Sequence, residues 1–372
     1  MQFKDVIGLE NQKQQLIKDV QNDRISHAQL FLGKMGFGGL PLSLAFVQYL
    51  FCKERTNTDS CGTCASCNKV TALQHPDLHF SFPTVQAITN TSDPQFGLWR
   101  ESVTKNPYFS LNNWIETSDE KGRNPIISTY QSSEIIKKLS LKSFDRGYKV
   151  TIIWMADLMN DTCANKLLKI IEEPPAKTIF ILLVENQNTV LPTILSRTQL
   201  LKVKQLSDDN LTRWLKGQGA LSSDVIESIV SRADGDINQA IEMLGSTGEN
   251  NENREDFIQL MRVCYKKDVI PMLDWAAKMA EKGREQQKNF LHYGLYMIRQ
   301  SMMKNYTDSQ LVRASTEEKA FLEKFARFIS GNNVLPFTQL FNDAHYSVVR
   351  NANAKLLFTN ITFEVMRYIH RA

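Results

Sequence analysis

The segment from Gly33 to Leu40 has the glycine spacing of a phosphate-binding loop but lacks its reactive groups. A working loop of the form GxxxxGK[ST] places a lysine ammonium on the outer phosphates and a hydroxyl on magnesium. Gly33 and Gly38 fill the two glycine positions, with Gly36 between them, whereas Gly39 stands at the lysine position and Leu40 at the hydroxyl position. The segment therefore predicts the fold of a nucleotide motor without its chemistry.

A second feature of such motors, an acidic pair at the end of a buried strand, is also missing. In that pair Asp holds magnesium and Glu activates water. Trp154 and Met155 stand at the two expected carboxylate positions, and Asp157 follows two residues later, where we expect it to cap the next helix. With both features changed we expect no ATP hydrolysis and no productive ATP or magnesium site. Nucleotide binding without turnover, through the loop amides, stays open beside an empty, collapsed loop, which we favour.

Four cysteines, with the spacing C-x8-C-x2-C-x2-C, predict a structural zinc site. Two overlapping C-x2-C steps bring thiolates to the separation that tetrahedral zinc needs, and the first cysteine closes a longer loop. Four thiolates leave no open coordination position, which excludes a catalytic metal. The alternative is an unmetallated set of cysteines. The four residues are Cys52, Cys61, Cys64 and Cys67.

Arg197 follows Ser196 between a short predicted helix and a strand. A guanidinium in this place could reach out of the subunit and stabilise charge on the γ-phosphate of a neighbour. An arginine here is otherwise a surface salt-bridge residue, and the residues alone leave both interpretations open. We interpret Glu172 and Glu173 as the end of a helix whose partner surface is another subunit.

These residues need a parallel sheet to position them. Apolar runs that alternate with amphipathic segments predict an α/β fold of the P-loop type, with helices on both faces of the sheet. After residue 207 the strands stop, and the pattern is helical. Strands are predicted at 28–32, 149–155, 178–184 and 200–203, and helices at 12–20, 41–51, 131–139, 162–172, 211–215, 223–232 and 237–244.

The chain divides into three predicted domains. Residues 1–206 form the α/β base, which carries the zinc module at about 52–67 and an insertion at about 85–125. Residues 207–246 form a three-helix lid, and 254–372 form a helical domain after a polar linker at 245–253. The insertion is predicted to be irregular and to pack on the surface, and its purpose is unknown from the sequence. Its aromatic residues leave a nucleic-acid stacking surface as an alternative; they are Phe96, Trp99, Tyr108, Phe109 and Trp114.

Length and composition restrict the function only loosely. The 372 residues suffice for two or three domains, and the net charge of +4 does not argue for nucleic-acid binding. No apolar run is long enough for a membrane span, and the amino terminus lacks the layout of a signal peptide. We therefore expect a cytoplasmic protein with no membrane partner.

Together these motifs resemble the bacterial clamp-loader subunits of the AAA+ class, and in particular those of the delta-prime type of DNA polymerase III. The resemblance covers about the first 245 residues. The matching segments are 6–10, 26–39, the four cysteines, 75–79, 164–175, 191–197 and, for the lid, 233–244.

The resemblance implies a non-hydrolysing, stator-like subunit in a hetero-pentamer with gamma/tau and delta types, which together load a sliding clamp on primed DNA. It implies that Ser196 and Arg197 form the trans-acting finger motif, and that the carboxy-terminal domain is the collar of the ring. Two positions depart from the family pattern: Thr198 replaces a cysteine, and Glu185 stands at a sensor position that is usually small and polar.

Two other functions remain to be weighed. The first is an active ATPase subunit of the same loader, with Lys34 as the phosphate lysine, although Lys34 lies directly after the first glycine, in the wrong part of the loop. The second is a zinc-dependent DNA-binding protein that reads DNA through residues 50–80, a segment with few basic residues.

Overall fold

The computed structural model describes residues 1–144, 147–245, 247–307, 312–350 and 352–371. They form two compact units, the first of Met1–Gly217 with Asp234–Gln239, and the second of Gln218–Ala233 with Ala240–Ala372. The predicted domain borders at residues 206 and 246 stay predictions.

In its described residues the first unit contains five strands, which form one parallel sheet. The strands are β1 Ala28–Leu32, β2 Leu78–Ser81, β3 Lys149–Ile153, β4 Thr178–Val184 and β5 Gln199–Lys202. Their order across the sheet is β2-β3-β4-β1-β5, so β1 lies between β4 and β5. The predicted parallel α/β sheet is confirmed, and β1 and β4 have the predicted bounds. The edge strand β2 was not predicted.

Helices cover both faces of this sheet. On one face Leu182 belongs to a buried cluster with Leu167 of the helix Asp161–Glu172, and on the other Leu183 lies close to Gly39 at the start of the helix Gly39–Phe51. Side chains two residues apart share a face of a strand, so a strand covered on both faces is apolar throughout. The helices are α1 Glu10–Gln21, α2 Gly39–Phe51, α3 Ala65–Thr71, α4 Phe96–Lys105, α5 Leu111–Ser118, α6 Thr129–Ser140, α7 Asp161–Glu172, α8 Pro192–Leu195 and α9 Asp208–Lys216.

The insertion at 85–125 is not irregular, and that prediction was wrong. It contains α4 and α5, whose tryptophans, Trp99 and Trp114, are completely buried. The Trp99 ring stacks on Phe82 with centroids 4.9 Å apart, and the Trp114 indole N–H donates to the Pro83 carbonyl at 2.8 Å. Polar residues between the aromatics hid two short amphipathic helices.

The same burial argues against a stacking surface for nucleic acid. Tyr108 and Phe109 are also buried, and only Phe96 among the five aromatics is partly accessible. The Phe109 ring stacks on Trp154 at 4.7 Å, so the insertion shares a core with the end of β3. The aromatic residues hold the insertion on the base of the fold and leave too little ring area for bases to stack on.

The second unit is helical throughout its described residues. Its helices are α10 Ser223–Ala233, α11 Ile237–Gly245 (which begins in the first unit), α12 Thr247–Lys266, α13 Val269–Glu281, α14 Arg284–Tyr306, α15 Thr316–Phe325, α16 Val334–Val349 and α17 Ala354–Ile369. Leu291 and Ile298 of α14 are buried in one core with Trp275 and Phe358. In the part of the chain that the structure describes, no helix has the length and apolar character needed to cross a membrane.

The prediction of a non-helical linker at 245–253 was wrong. Gly245 ends α11 and residues 247–253 belong to α12, while residue 246 lies outside the described residues. Gly and Asn are poor helix formers, but α12 continues into Phe257 and Leu260, which are completely buried. Tertiary packing of the later turns therefore decides the structure of this segment against its composition.

Candidate functional site

The glycine loop lies between β1 and α2, as the motif requires. The Gly33 N–H donates to the Val184 carbonyl at 2.9 Å, a short 3₁₀ turn follows at Met35–Phe37, and Gly38 has a φ of 99°. A side chain at Gly33 would meet the Val203 carbonyl oxygen at 2.2 Å, so only glycine fits beside that strand end. The backbone shape of a phosphate loop is thus present.

Carboxylates of the same chain lie against this loop. The Glu185 Oε1 accepts a hydrogen bond from the Met35 N–H at 2.7 Å. A Cβ atom added to Gly36 would lie 1.7 Å from the Asp236 Oδ1, so that carboxylate lies directly on the Gly36 backbone. Burial raises the pKa of Glu185, the Met35 N–H opposes this, and the nearby Asp157 and Asp236 raise it further.

The groups that would act on a nucleotide are replaced by apolar or misplaced ones. Leu40 is buried in α2 and offers no hydroxyl. Lys34 is exposed, with its Nζ 5.8 Å from the centre of the Phe37 ring. Gly39 has no side chain, so an ammonium group is missing at the lysine position. Within the loop the Phe37 and Gly38 N–H groups donate to the carbonyls of Lys34 and Met35. The loop also lacks the cation that a working loop adds.

The residues at the acidic-motif positions serve the core. Trp154 and Met155 are buried, and Met155 has a left-handed φ of 56°. Asp157 does not cap α7, contrary to our prediction, because the N-cap is Asn160, whose Oδ1 accepts from the Cys163 N–H at 2.8 Å. Asp157 instead accepts from the backbone N–H groups of Glu185 and Asn186, both at 3.3 Å, and so fixes the turn after β4.

Arg197 lies just after α8, at the surface of the first unit. Its Nε is 3.2 Å from the Glu172 Oε2, and its Nη1 donates to the Thr193 carbonyl at 3.1 Å and to the Ser196 hydroxyl at 3.3 Å. About a third of the side chain, 34%, is exposed. Within the single chain the guanidinium forms a surface ion pair with Glu172 at the end of α7. The finger role of Arg197 stays a prediction.

The four predicted cysteines converge. Their sulfur atoms all lie within 4.8 Å of one another, and Cys61 and Cys67 are 3.9 Å apart. Tetrahedral zinc, with Zn–S bonds of about 2.3 Å, requires sulfur atoms about 3.8 Å apart. Backbone N–H groups of Cys61 and Cys64 each donate to a cysteine sulfur at 3.3 Å, as N–H groups do around thiolates. These four residues fit a metal ion, and zinc is the metal that this donor set suits.

The cysteine loop is tied to the amino terminus. The Gln2 side chain donates to the Ser60 carbonyl at 2.5 Å, and the Asp59 carboxylate accepts from the N–H groups of Phe3 and Lys4, both at 3.0 Å. Gly62 has a φ of 77°, which permits the tight turn within the first C-x2-C step. The cysteine loop and the first residues of the chain therefore stabilise each other's conformation through these hydrogen bonds.

The carboxylates at the loop were missed by sequence reasoning. Glu185 was noted only as an unusual residue at a sensor position, and Asp236 was not noted. Met35 and Glu185 are 150 positions apart, so no local pattern connects them. The available signal was an acidic residue directly after β4, at the same edge of the sheet as the glycine loop.

A parallel α/β sheet with a glycine loop after its β1 strand, followed by a helical part, is the architecture of the P-loop class of folds, to which the AAA+ proteins belong. A family model described as DNA polymerase III, delta subunit, matches residues 8–207, more than half of the chain. The DNA polymerase III subunit delta' of Escherichia coli is 24% identical over 360 residues, which cover 96% of this chain and 93% of that protein. The corresponding subunit of Bacillus subtilis is 29% identical over 252 residues, covering 68% of this chain and 64% of that protein. A gamma subunit-related protein of Thermotoga maritima, 13% identical, superposes with a TM-score of 0.44 over 96% of this chain and all of that one.

The chain therefore belongs to the DNA polymerase III delta subunit family, and within it to the delta-prime clamp-loader subunits.

Proposed function

We propose that this chain is a non-hydrolysing subunit of a clamp loader and that it provides Arg197 to the ATP site of a neighbouring subunit. The observation that carries the proposal is the altered nucleotide site. Gly39 and Leu40 replace the lysine and the hydroxyl residue of a working loop, and Trp154 and Met155 stand at the positions of the acidic pair. The Glu185 carboxylate accepts a hydrogen bond from the Met35 N–H. A chain that retains the fold of the motor in this state acts through contacts with active partners.

Arg197 is suited to such a contact. A planar guanidinium can bind two phosphate oxygens at once and cannot lose its charge near neutral pH. To reach a neighbour it must leave Glu172, and an exposed ion pair of this kind contributes only about 0–1 kcal/mol. That cost is small against the roughly 10³-fold gain that an arginine finger provides in phosphoryl transfer.

The partners follow from the family. Curated relatives include tau of Bacillus subtilis, 25% identical over 247 residues, beside the delta-prime proteins. We propose a cytoplasmic hetero-pentamer with gamma/tau and delta types, in which the helical residues 254–372 form the collar of the ring. The assembled ring would open a sliding clamp and place it on primed DNA during DNA replication. Zinc on the four cysteines would be structural, because four sulfur ligands leave no open position for a substrate.

Native mass spectrometry of the chain mixed with gamma/tau-type and delta-type subunits tests the proposed assembly. We expect one stoichiometric complex containing this chain, and clamp loading that stops when this chain is left out. A chain that stays monomeric in the mixture, or loading that proceeds equally well without it, would contradict the proposal.

A further inference from the structure

We propose that the glycine loop remains an anion-binding site and that this chain fills it with its own carboxylates, Glu185 and Asp236, which exclude phosphate groups. Nucleotide would then be kept out by internal competition, in addition to the loss of the lysine and the hydroxyl. The inference concerns the described residues of the first unit and does not depend on Arg197.

The first support is the hydrogen bond at the loop. The Met35 N–H, which precedes α2 by four residues, donates to the Glu185 carboxylate at 2.7 Å, the distance of a charge-assisted bond. This N–H opens the 3₁₀ turn Met35–Phe37, before α2 begins, and the first N–H of a turn has no carbonyl partner within it. The anion that occupies this place is supplied by the turn after β4, which Asp157 fixes through the N–H of Glu185.

The second support is the position of Asp236. Its carboxylate lies on Gly36, where any side chain would collide with it, and its Oδ1 also accepts from the Gln239 N–H at 3.2 Å. Asp236 is thereby fixed at the start of α11, so a second segment of the chain, besides the turn after β4, places a carboxylate on the loop. Tyr108 covers Gly38, with its ring carbon 3.0 Å from where a Cβ would be.

The carboxylate charges around the loop also repel an incoming phosphate group. Asp157 and Asp236 both raise the pKa of Glu185 by repulsion, and Lys34 lowers it by attraction. A phosphate group entering the loop would meet the like charges of Glu185, which is exposed, and of Asp236, which is buried and therefore less screened by water. Removal of the carboxylate charges should therefore restore affinity for an anion, even without the missing lysine.

The experiment uses the full chain and inorganic pyrophosphate. The double variant Glu185→Ala with Asp236→Asn removes the Met35 acceptor and the Asp236 charge, while Asn keeps an oxygen for the Gln239 N–H. The control, Glu101→Ala with Asp209→Asn, makes the same change in net charge at exposed positions. Binding is measured by calorimetry and by the amide NMR shifts of residues 33–39.

We expect the double variant to bind pyrophosphate at least about tenfold more tightly than the wild type and the control, with the largest shifts in the loop amides. Circular dichroism checks that each variant is folded. Equal affinity in the three folded proteins would overturn the inference, as would a gain in binding that leaves the loop amides unshifted. The inference rests on the non-hydrolysing part of the proposed function: MgATP hydrolysis by the wild type would refute both, whereas equal pyrophosphate affinity in the three proteins would refute the inference alone.

Discussion

Replacing Arg197 with alanine should lower ATP turnover at the site of the neighbouring subunit by about 1,000-fold while the complex still assembles. The reason is that a guanidinium next to the γ-phosphate stabilises charge that grows in the transition state, and alanine leaves that charge unpaired. The measurement is phosphate release by a reconstituted loader in which the other ATP sites carry a substituted loop lysine, so that only the neighbouring site reports.

Two variants serve as controls for this result. Arg197→Lys keeps the charge but loses the two-pronged donor geometry, and we expect it to restore only a minor part of the rate. Arg24→Ala removes an exposed arginine elsewhere in the first unit and should leave turnover unchanged. An Arg197→Ala loader that releases phosphate at the wild-type rate would refute the finger role.

Replacement of Cys64 with serine should abolish zinc retention and destabilise the amino-terminal part of the chain. Serine is a poor zinc ligand, and metal binding contributes about 10–16 kcal/mol in small structural zinc sites. The cysteine loop holds Gln2 and Phe3 through hydrogen bonds, so its disorder should release the first residues. We expect the zinc content to fall from about one per chain to near zero, and the Tm of the first unit to fall by about 20 °C or more.

Zinc content is measured by mass spectrometry after dialysis, and release of the amino terminus by limited proteolysis. Cys163→Ala is the matched control, because Cys163 is buried against the sheet and is separate from the four cysteines. It should keep one zinc ion per chain, whatever its effect on Tm. A Cys64→Ser protein that still retains a full equivalent of zinc would show that the four-sulfur site is not the ligand set.

The sequence predicts the sheet well where burial is complete. β4 is apolar apart from its first residue, and Gln29 is the one polar residue of β1, so the bounds of both strands could be predicted without tertiary information. β2 was missed because its four residues, LHFS, include a histidine and a serine and carry too short a pattern. α4 and α5 were missed because both are short and bury few side chains, Trp99 and Val103 in α4 and Trp114 in α5, which are too few to establish a period.

For the candidate site, the missing catalytic residues could be predicted from the sequence, but the carboxylates that contact the glycine loop could not. The absence of a lysine at Gly39 and of carboxylates at Trp154 and Met155 is a local property of the sequence. The contacts of Glu185 and Asp236 with the loop join segments about 150 to 200 residues apart, and only the order of the strands brings them together. The ion pair of Arg197 with Glu172 is likewise a tertiary contact.

The central claim is that this chain belongs to an ATP-driven assembly and does not itself hydrolyse ATP. The most direct measurement is magnesium-dependent phosphate release from ATP by the purified chain at high protein concentration. We predict release no faster than in protein-free buffer across the whole range of ATP concentrations. Saturable release that requires magnesium and persists in material purified to constant specific activity would contradict the account.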